Sequence, residues 1–126
     1  MNLRKVFVVA MDNEAAAVTA HFAAVAEESV FGRRIVTGTL AGEPTAVVVS
    51  GVGKVNAAAA AQLALARFNP EVLLNVGVAG ALHAPMQVAE VYRVRAAVQY
   101  DFDLAAINGT SVGTLNEYTA RELPLD

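Results

Sequence analysis

The sequence predicts an α/β fold: a mixed, largely parallel sheet with flanking helices. Three observations predict it. Short apolar runs rich in β-branched residues alternate with segments of helical spacing. Two of those runs end in glycine turns, at Gly51-Val52-Gly53 and at Gly77-Val78-Ala79-Gly80. One pair of runs, Arg34 to Leu40 and Pro44 to Val49, is joined by Ala41-Gly42-Glu43, a turn short enough for a hairpin that adds an antiparallel pair.

Lys5 to Met11 reads as a first strand, buried on both faces because its apolar residues do not alternate with polar ones. Asp12 stands as an N-cap. Ala15, Val18, Phe22 and Val25 then recur at helical spacing, which predicts a helix from Asn13 to Glu27-Glu28. After the hairpin, Ala46 to Val49 runs into Ser50-Gly51-Val52-Gly53-Lys54 and an alanine- and leucine-rich helix up to Arg67, closed by Asn69-Pro70. Val72 to Val78 is again strand-like. Val88 to Val98 is a further strand-like stretch in which Arg93 and Arg95 share one face, turned to solvent or to a partner. From Tyr100 the texture becomes polar, and the last twenty or so residues read as loop.

The 126 residues allow one domain, and 56% hydrophobic residues with 17% charged are too apolar for a disordered chain. A net charge of -3 without a run of Lys or Arg leaves no footprint for nucleic acid or an anionic membrane, so no nucleic-acid or membrane partner is expected. The apolar run at the N-terminus breaks at Asp12, too soon for a signal sequence or a span, which makes a cytoplasmic location the expectation. The absence of cysteine rules out thiolate ligands, and His21 and His83 are two isolated histidines. No metal site and no cofactor are expected.

In open α/β sheets, ligands sit beyond the carboxyl ends of the strands, where glycine lets backbone amides approach without a Cβ in the way. Both glycine turns lie there, and each also reads as a plain tight turn. Neither is a nucleotide signature. Val55 stands where a P-loop needs Ser or Thr, Val48 where it needs its first glycine, and Asn56 where a dinucleotide turn needs its third. Glu14, at the start of the helix after the first strand, can act as a general base across the strand ends or simply complement the helix dipole. Asp101 and Asp103 allow either a site carboxylate or a solvated turn.

Taken in order, Ala10-Met11-Asp12-Asn13-Glu14, Ser50-Gly51-Val52-Gly53-Lys54-Val55-Asn56-Ala57, Asn75-Val76-Gly77-Val78-Ala79-Gly80-Ala81 and Tyr100-Asp101-Phe102-Asp103 form one pattern. It resembles the 5'-methylthioadenosine/S-adenosylhomocysteine nucleosidase branch of the nucleoside phosphorylase family. The resemblance covers nearly the whole chain but only the first half of the family's fold, so residues 1–126 are expected to form the N-terminal half of a nucleoside phosphorylase-like domain, a truncated version of it.

The resemblance implies hydrolysis of the N-ribosidic bond of a purine nucleoside through an oxocarbenium-like transition state, akin to glycoside hydrolysis. It makes Glu14 the residue that positions and activates the attacking water, and Val78, Ala79 and Gly80 the turn beside ribose and base. It places Leu104, Ile107 and Pro124 where family members lend apolar residues to the neighbouring subunit's pocket, which implies a homodimer. Val78 replaces the family's usual serine and Ala81 a second glycine, and the segment from Asn108 to Glu122 is longer than the family's loop. The Met-Glu pair that holds the ribose hydroxyls and the aspartate that protonates the purine have no counterpart in these residues. A chain supplying the missing C-terminal half is therefore an expected partner, and the 126 residues alone are expected to be nearly inert. Two other readings stand beside this one: a non-catalytic nucleoside-binding or oligomer-forming remnant, and a phosphate-dependent nucleoside phosphorylase, for which Arg33 and Arg34 are candidates by charge alone.

Overall fold

The structure, a computed structural model, describes residues 3–114 and 122–125. It divides into two compact units, Met1–Gly80 and Ala81–Asp126. In the first, the elements are β1 (Lys5–Val9), α1 (Asp12–Thr19), β2 (Ala23–Val30), β3 (Arg33–Leu40), β4 (Glu43–Val49), α2 (Lys54–Phe68) and β5 (Val72–Asn75). They build a five-stranded sheet in the order β2-β3-β4-β1-β5. β1 runs parallel to both β4 and β5, while β2-β3 and β3-β4 are antiparallel, so the sheet is mixed as expected.

The period-two alternation of side chains divides the apolar strand residues between two faces. Val6, Val8, Ile35, Ala46 and Val48 point to one face, where Ala60, Ala64 and Phe68 of α2 cover them. Those three residues recur every four positions, and the alanines let the helix lie close to the sheet. Val9 and Val47 point to the other face, under Ala15 of α1 with Phe7, Val18 and Phe22 beside them. A sheet covered on both faces by helices is the arrangement that continuous apolar strands require.

The first helix is shorter than its spacing predicts. It ends at Thr19, and Ala23–Val30, expected to continue it to Glu28, forms the edge strand β2. Phe22 ends the helical periodicity by packing against β3 at Gly38, where a Cβ would lie 2.8 Å from the Phe22 ring. Beyond it nearly every residue of β2 is exposed, so no buried face selects helix, and backbone pairing with β3 decides. A two-residue turn, Phe31-Gly32, with φ of 51° and 75°, closes that hairpin. Ala41-Gly42 closes the next with φ of 52° and 82°, leaving Glu43 as the first residue of β4. The N-cap of α1 is Met11, in extended conformation, and Asp12 is its first helical residue.

The second unit contains β6 (Ala96–Ala97), α3 (Ala105–Asn108) and β7 (Leu123–Pro124). β6 and β7 pair antiparallel, and the Leu125 amide donates to the Arg95 carbonyl at 2.8 Å. The strand expected over Val88 to Val98 is thus reduced to two residues, and the segment expected to be wholly loop contains both α3 and β7. Val88 and Val91 bury almost nothing, so the apolar run there has no second face to pack upon. Positions 115–121, within the segment expected to be a long polar loop, lie outside the described residues. Among the described residues no helix is long and apolar enough to cross a membrane.

Candidate functional site

The parallel strands β4, β1 and β5 end side by side, with Val9 opposite Val49 and Val8 opposite Asn75. The three segments that follow them, residues 10–14, 50–56 and 76–80, therefore meet beyond one edge of the sheet. That is the position where open α/β sheets hold ligands.

Glu14 is the centre of this edge. It occupies the third helical position of α1, from which a glutamate reaches back to the N-cap amide. Its Oε2 accepts from the Met11 amide at 3.0 Å and from the Ala10 amide at 3.1 Å. Its Oε1 accepts from the Val78 amide at 2.9 Å. The carboxylate thus ties the end of β1 to the turn after β5 while remaining half-buried. Three of its roughly four acceptor positions are taken, which leaves about one lone pair for a further donor such as a water molecule. Glu14 thus caps its helix and binds the turn after β5 with the same group.

The second segment is held by its own side chains. Ser50, buried, continues the ladder by donating its amide to the Val9 carbonyl at 2.8 Å. Gly51 and Gly53 have φ of 82° and 103°, conformations that L side chains rarely adopt, and they release the chain into α2. Asn56 donates to the Val52 carbonyl at 2.9 Å, closing the turn. The Arg33 guanidinium donates to the Ser50 carbonyl and, at 3.4 Å, to Asn56 Oδ1. Arg34 binds Glu27 at 2.7 Å and Asp12 at 3.2 Å. Both arginines raised by charge as phosphate ligands thus serve the protein's own carbonyl and carboxylates. The Arg34 hydrogen bond holds the Glu27 carboxyl below its ordinary range.

In the third segment, Asn75 anchors the end of β5 by donating to the Val8 carbonyl at 3.0 Å. Val78, Ala79 and Gly80 follow as exposed residues, Val78 being 81% accessible. Glu14 and Val78 are therefore brought together, as the sequence pattern suggests, through the backbone amide of Val78. Gly77, which the sequence reads only as part of the second glycine turn, lies directly against the Glu14 carboxylate. Its only signal in the sequence is a glycine at the end of a strand.

The remaining candidates belong to the second unit. Leu104 is the N-cap of α3 and Ile107, 82% exposed, lies one turn on, with its amide donating to the Leu104 carbonyl at 2.9 Å. Pro124 stands on β7 opposite Ala96. Asp103 Oδ1 accepts from the Ala105 amide at 2.9 Å, the local turn that competes with a site role. His21 and His83 are exposed.

Comparison with known proteins places this geometry in a family. The model of the phosphorylase superfamily matches residues 4–123. A 5'-methylthioadenosine/S-adenosylhomocysteine nucleosidase of Marinomonas sp. (strain MWYL1) is 36% identical over 95 residues, covering 75% of this chain and 41% of the relative. The crystal structure of the Neisseria meningitidis nucleosidase of that name, in complex with methylthio-immucillin-A, matches with a TM-score of 0.88 at 28% identity, over 98% of this chain and 53% of that one. Futalosine hydrolase of Helicobacter pylori shares the fold, with a TM-score of 0.86 at 23% identity, over 97% of this chain and 52% of that one. The chain spans about half the length of these solved structures and less than half of the curated relative.

Proposed function

This chain belongs to the phosphorylase superfamily, and from that premise we propose that the edge formed by residues 10–14, 50–56 and 76–80 is the ribose-facing half of a purine nucleoside hydrolase site. The substrate class is methylthioadenosine or adenosylhomocysteine, as the names of the similar nucleosidases suggest. The observation that carries the reading is the Glu14 carboxylate, fixed by three backbone amides from two strand ends with one acceptor position left over. In this role Glu14 accepts a hydrogen bond from water and takes its proton as the oxygen bonds to the anomeric carbon. The C–N bond breaks, its electron pair leaves with the purine, and the purine nitrogen is protonated by an acid. Val78, Ala79 and Gly80 line the ribose and base from the turn beside Glu14.

The relatives' other half corresponds to the region that, by resemblance, contributes that acid and the groups holding the ribose hydroxyls. A complete site on this reading needs that region, in the same polypeptide or as a separate chain. A homodimer in which Leu104, Ile107 and Pro124 reach the neighbouring subunit's pocket completes the proposal. General acid catalysis is worth about two to four orders of magnitude, so the 126 residues alone should be nearly inert. The half-length match equally favours a second reading, a nucleoside-binding remnant with affinity and no chemistry.

The test is adenine release from methylthioadenosine in phosphate-free buffer, by the chain alone and after mixing with a polypeptide corresponding to the second half of the Marinomonas relative. Release is expected to rise on mixing and to vanish in Glu14→Ala. A dependence on added phosphate would move the chain to the phosphorolytic branch. Binding without release in both samples would support the remnant.

A further inference from the structure

A glycine is required for one of two reasons: a backbone conformation closed to other residues, or an atom that stands where a Cβ would be. Gly77 has only the second reason. It is not among the described glycines with positive φ, so no left-handed conformation calls for glycine there. A Cβ built on it would lie 2.7 Å from Glu14 Oε1 and 3.2 Å from Glu14 Cδ. The three nearest atoms it would meet all belong to one carboxylate. The first group that a methyl at position 77 must displace is therefore the Glu14 carboxylate.

We propose that Gly77 is a positioning residue whose missing side chain seats the Glu14 carboxylate against the end of β5, within reach of the Val78 amide. The proposal rests on the reading in which Glu14 handles the attacking water. Two different contacts fix the carboxylate at this end: the Val78 amide draws Oε1 in, and the bare Cα of Gly77 leaves the space it enters. Ala10 and Met11 hold the other oxygen, so a methyl at position 77 must rotate or retract the carboxylate about that second anchor. The free acceptor position then no longer points to the same place. A strand-end glycine far away in the sequence thereby sets the aim of the residue on α1.

The experiment compares Gly77→Ala, Glu14→Ala and the double variant by amide NMR of the 126-residue chain. Gly77→Ala is expected to shift the Ala10 and Met11 amides, which bind the other carboxylate oxygen far from position 77 in the sequence, while amides of the β1–β4 ladder stay in place. In the double variant Gly77→Ala should leave those two amides where Glu14→Ala puts them, because the group it displaces is gone. Ala10 and Met11 amides unmoved by Gly77→Ala, or additive effects of the two changes on them, would overturn the proposal. If Gly77→Ala alone fails to fold, the double variant decides: recovery of the fold supports the steric seat and continued unfolding contradicts it. In a mixture that releases adenine, Gly77→Ala should lower kcat about a hundredfold with KM unchanged, the size of effect typical of a misplaced reacting group. A raised KM at constant kcat would contradict positioning. If no mixture releases adenine, the activity assigned above fails on its own, and the amide comparison still tests the seat.

Discussion

Residues up to Gly80 and those beyond it are both rich in valine, leucine and alanine, yet they fold to different extents. In the first unit the valines of β1 and β4 have sheet neighbours on both sides and a helix above or below, and Val6, Val9, Val47 and Val48 are fully buried. In the second, Leu82, Val88 and Val91 are almost wholly exposed and the only ladder among the described residues joins two residues to two. Apolar content thus supplies the possibility of a core, while a layered architecture realises it. The difference also separates the candidate site residues. Glu14, Gly77 and the two glycine turns stand on the unit that has its own core, whereas Leu104, Ile107 and Pro124 stand on the other.

The widest test of this contrast is a pair of truncations. Ile35→Ala removes a fully buried side chain from the α2 face and should lower stability by about 3 kcal/mol in denaturant unfolding. Val91→Ala, at a residue 98% exposed, should change it by less than about 0.5 kcal/mol. Equal losses would mean that the second unit contributes to the same core. A smaller effect is expected at Gly38, where an added Cβ meets the Phe22 ring at 2.8 Å and the Ala23 carbonyl at 2.9 Å. The carbonyl belongs to the main chain and yields less easily than a side chain, so Gly38→Ala should cost about 2 kcal/mol, the ordinary range for overpacking. A Gly38→Ala variant as stable as the parent would show that β2 is free to move away from β3.

The smallest effect concerns the β2-β3 edge and pH. The hydrogen bond from Arg34 lowers the Glu27 carboxyl below the 4.5 of an unpaired glutamate. Its contribution to stability is therefore present above that value and is lost as the pH falls through the lowered one. Both side chains keep substantial contact with solvent, at 38% and 51% exposure, so the effect should be small and should shrink further in salt. Arg34→Ala should flatten the acid limb of a stability-versus-pH curve. An unchanged limb would assign the acid sensitivity to other carboxylates.

What is legible in the sequence follows the same division. β1, β3, β4 and α2 are readable because their residues face a buried layer, and burial writes its period into the sequence. β2 reads wrongly as helix because Ala15, Val18 and Phe22 do share a helical face, and after Phe22 the chain has no buried face to signal the change. The clue is Gly32, the turn residue between Val30 and Arg33. Val88 to Val98 misleads in the opposite sense, since an apolar run reads as a strand where the fold pairs only Ala96 and Ala97. Glu14 is readable from its place after β1. Gly77 is not, because its reason for being glycine is a side chain brought to it only by the pairing of β1 with β5.

The most direct measurement is a titration of the isotopically labelled chain with methylthioadenosine in phosphate-free buffer, read by the backbone amides. If residues 10–14, 50–56 and 76–80 form the ribose-facing half of a nucleoside site, the amides of Ala10, Met11 and Val78 should shift together and saturably, and the response should be lost in Glu14→Ala. Unmoved Ala10, Met11 and Val78 amides, with any shifts confined to residues beyond Gly80, would contradict the account.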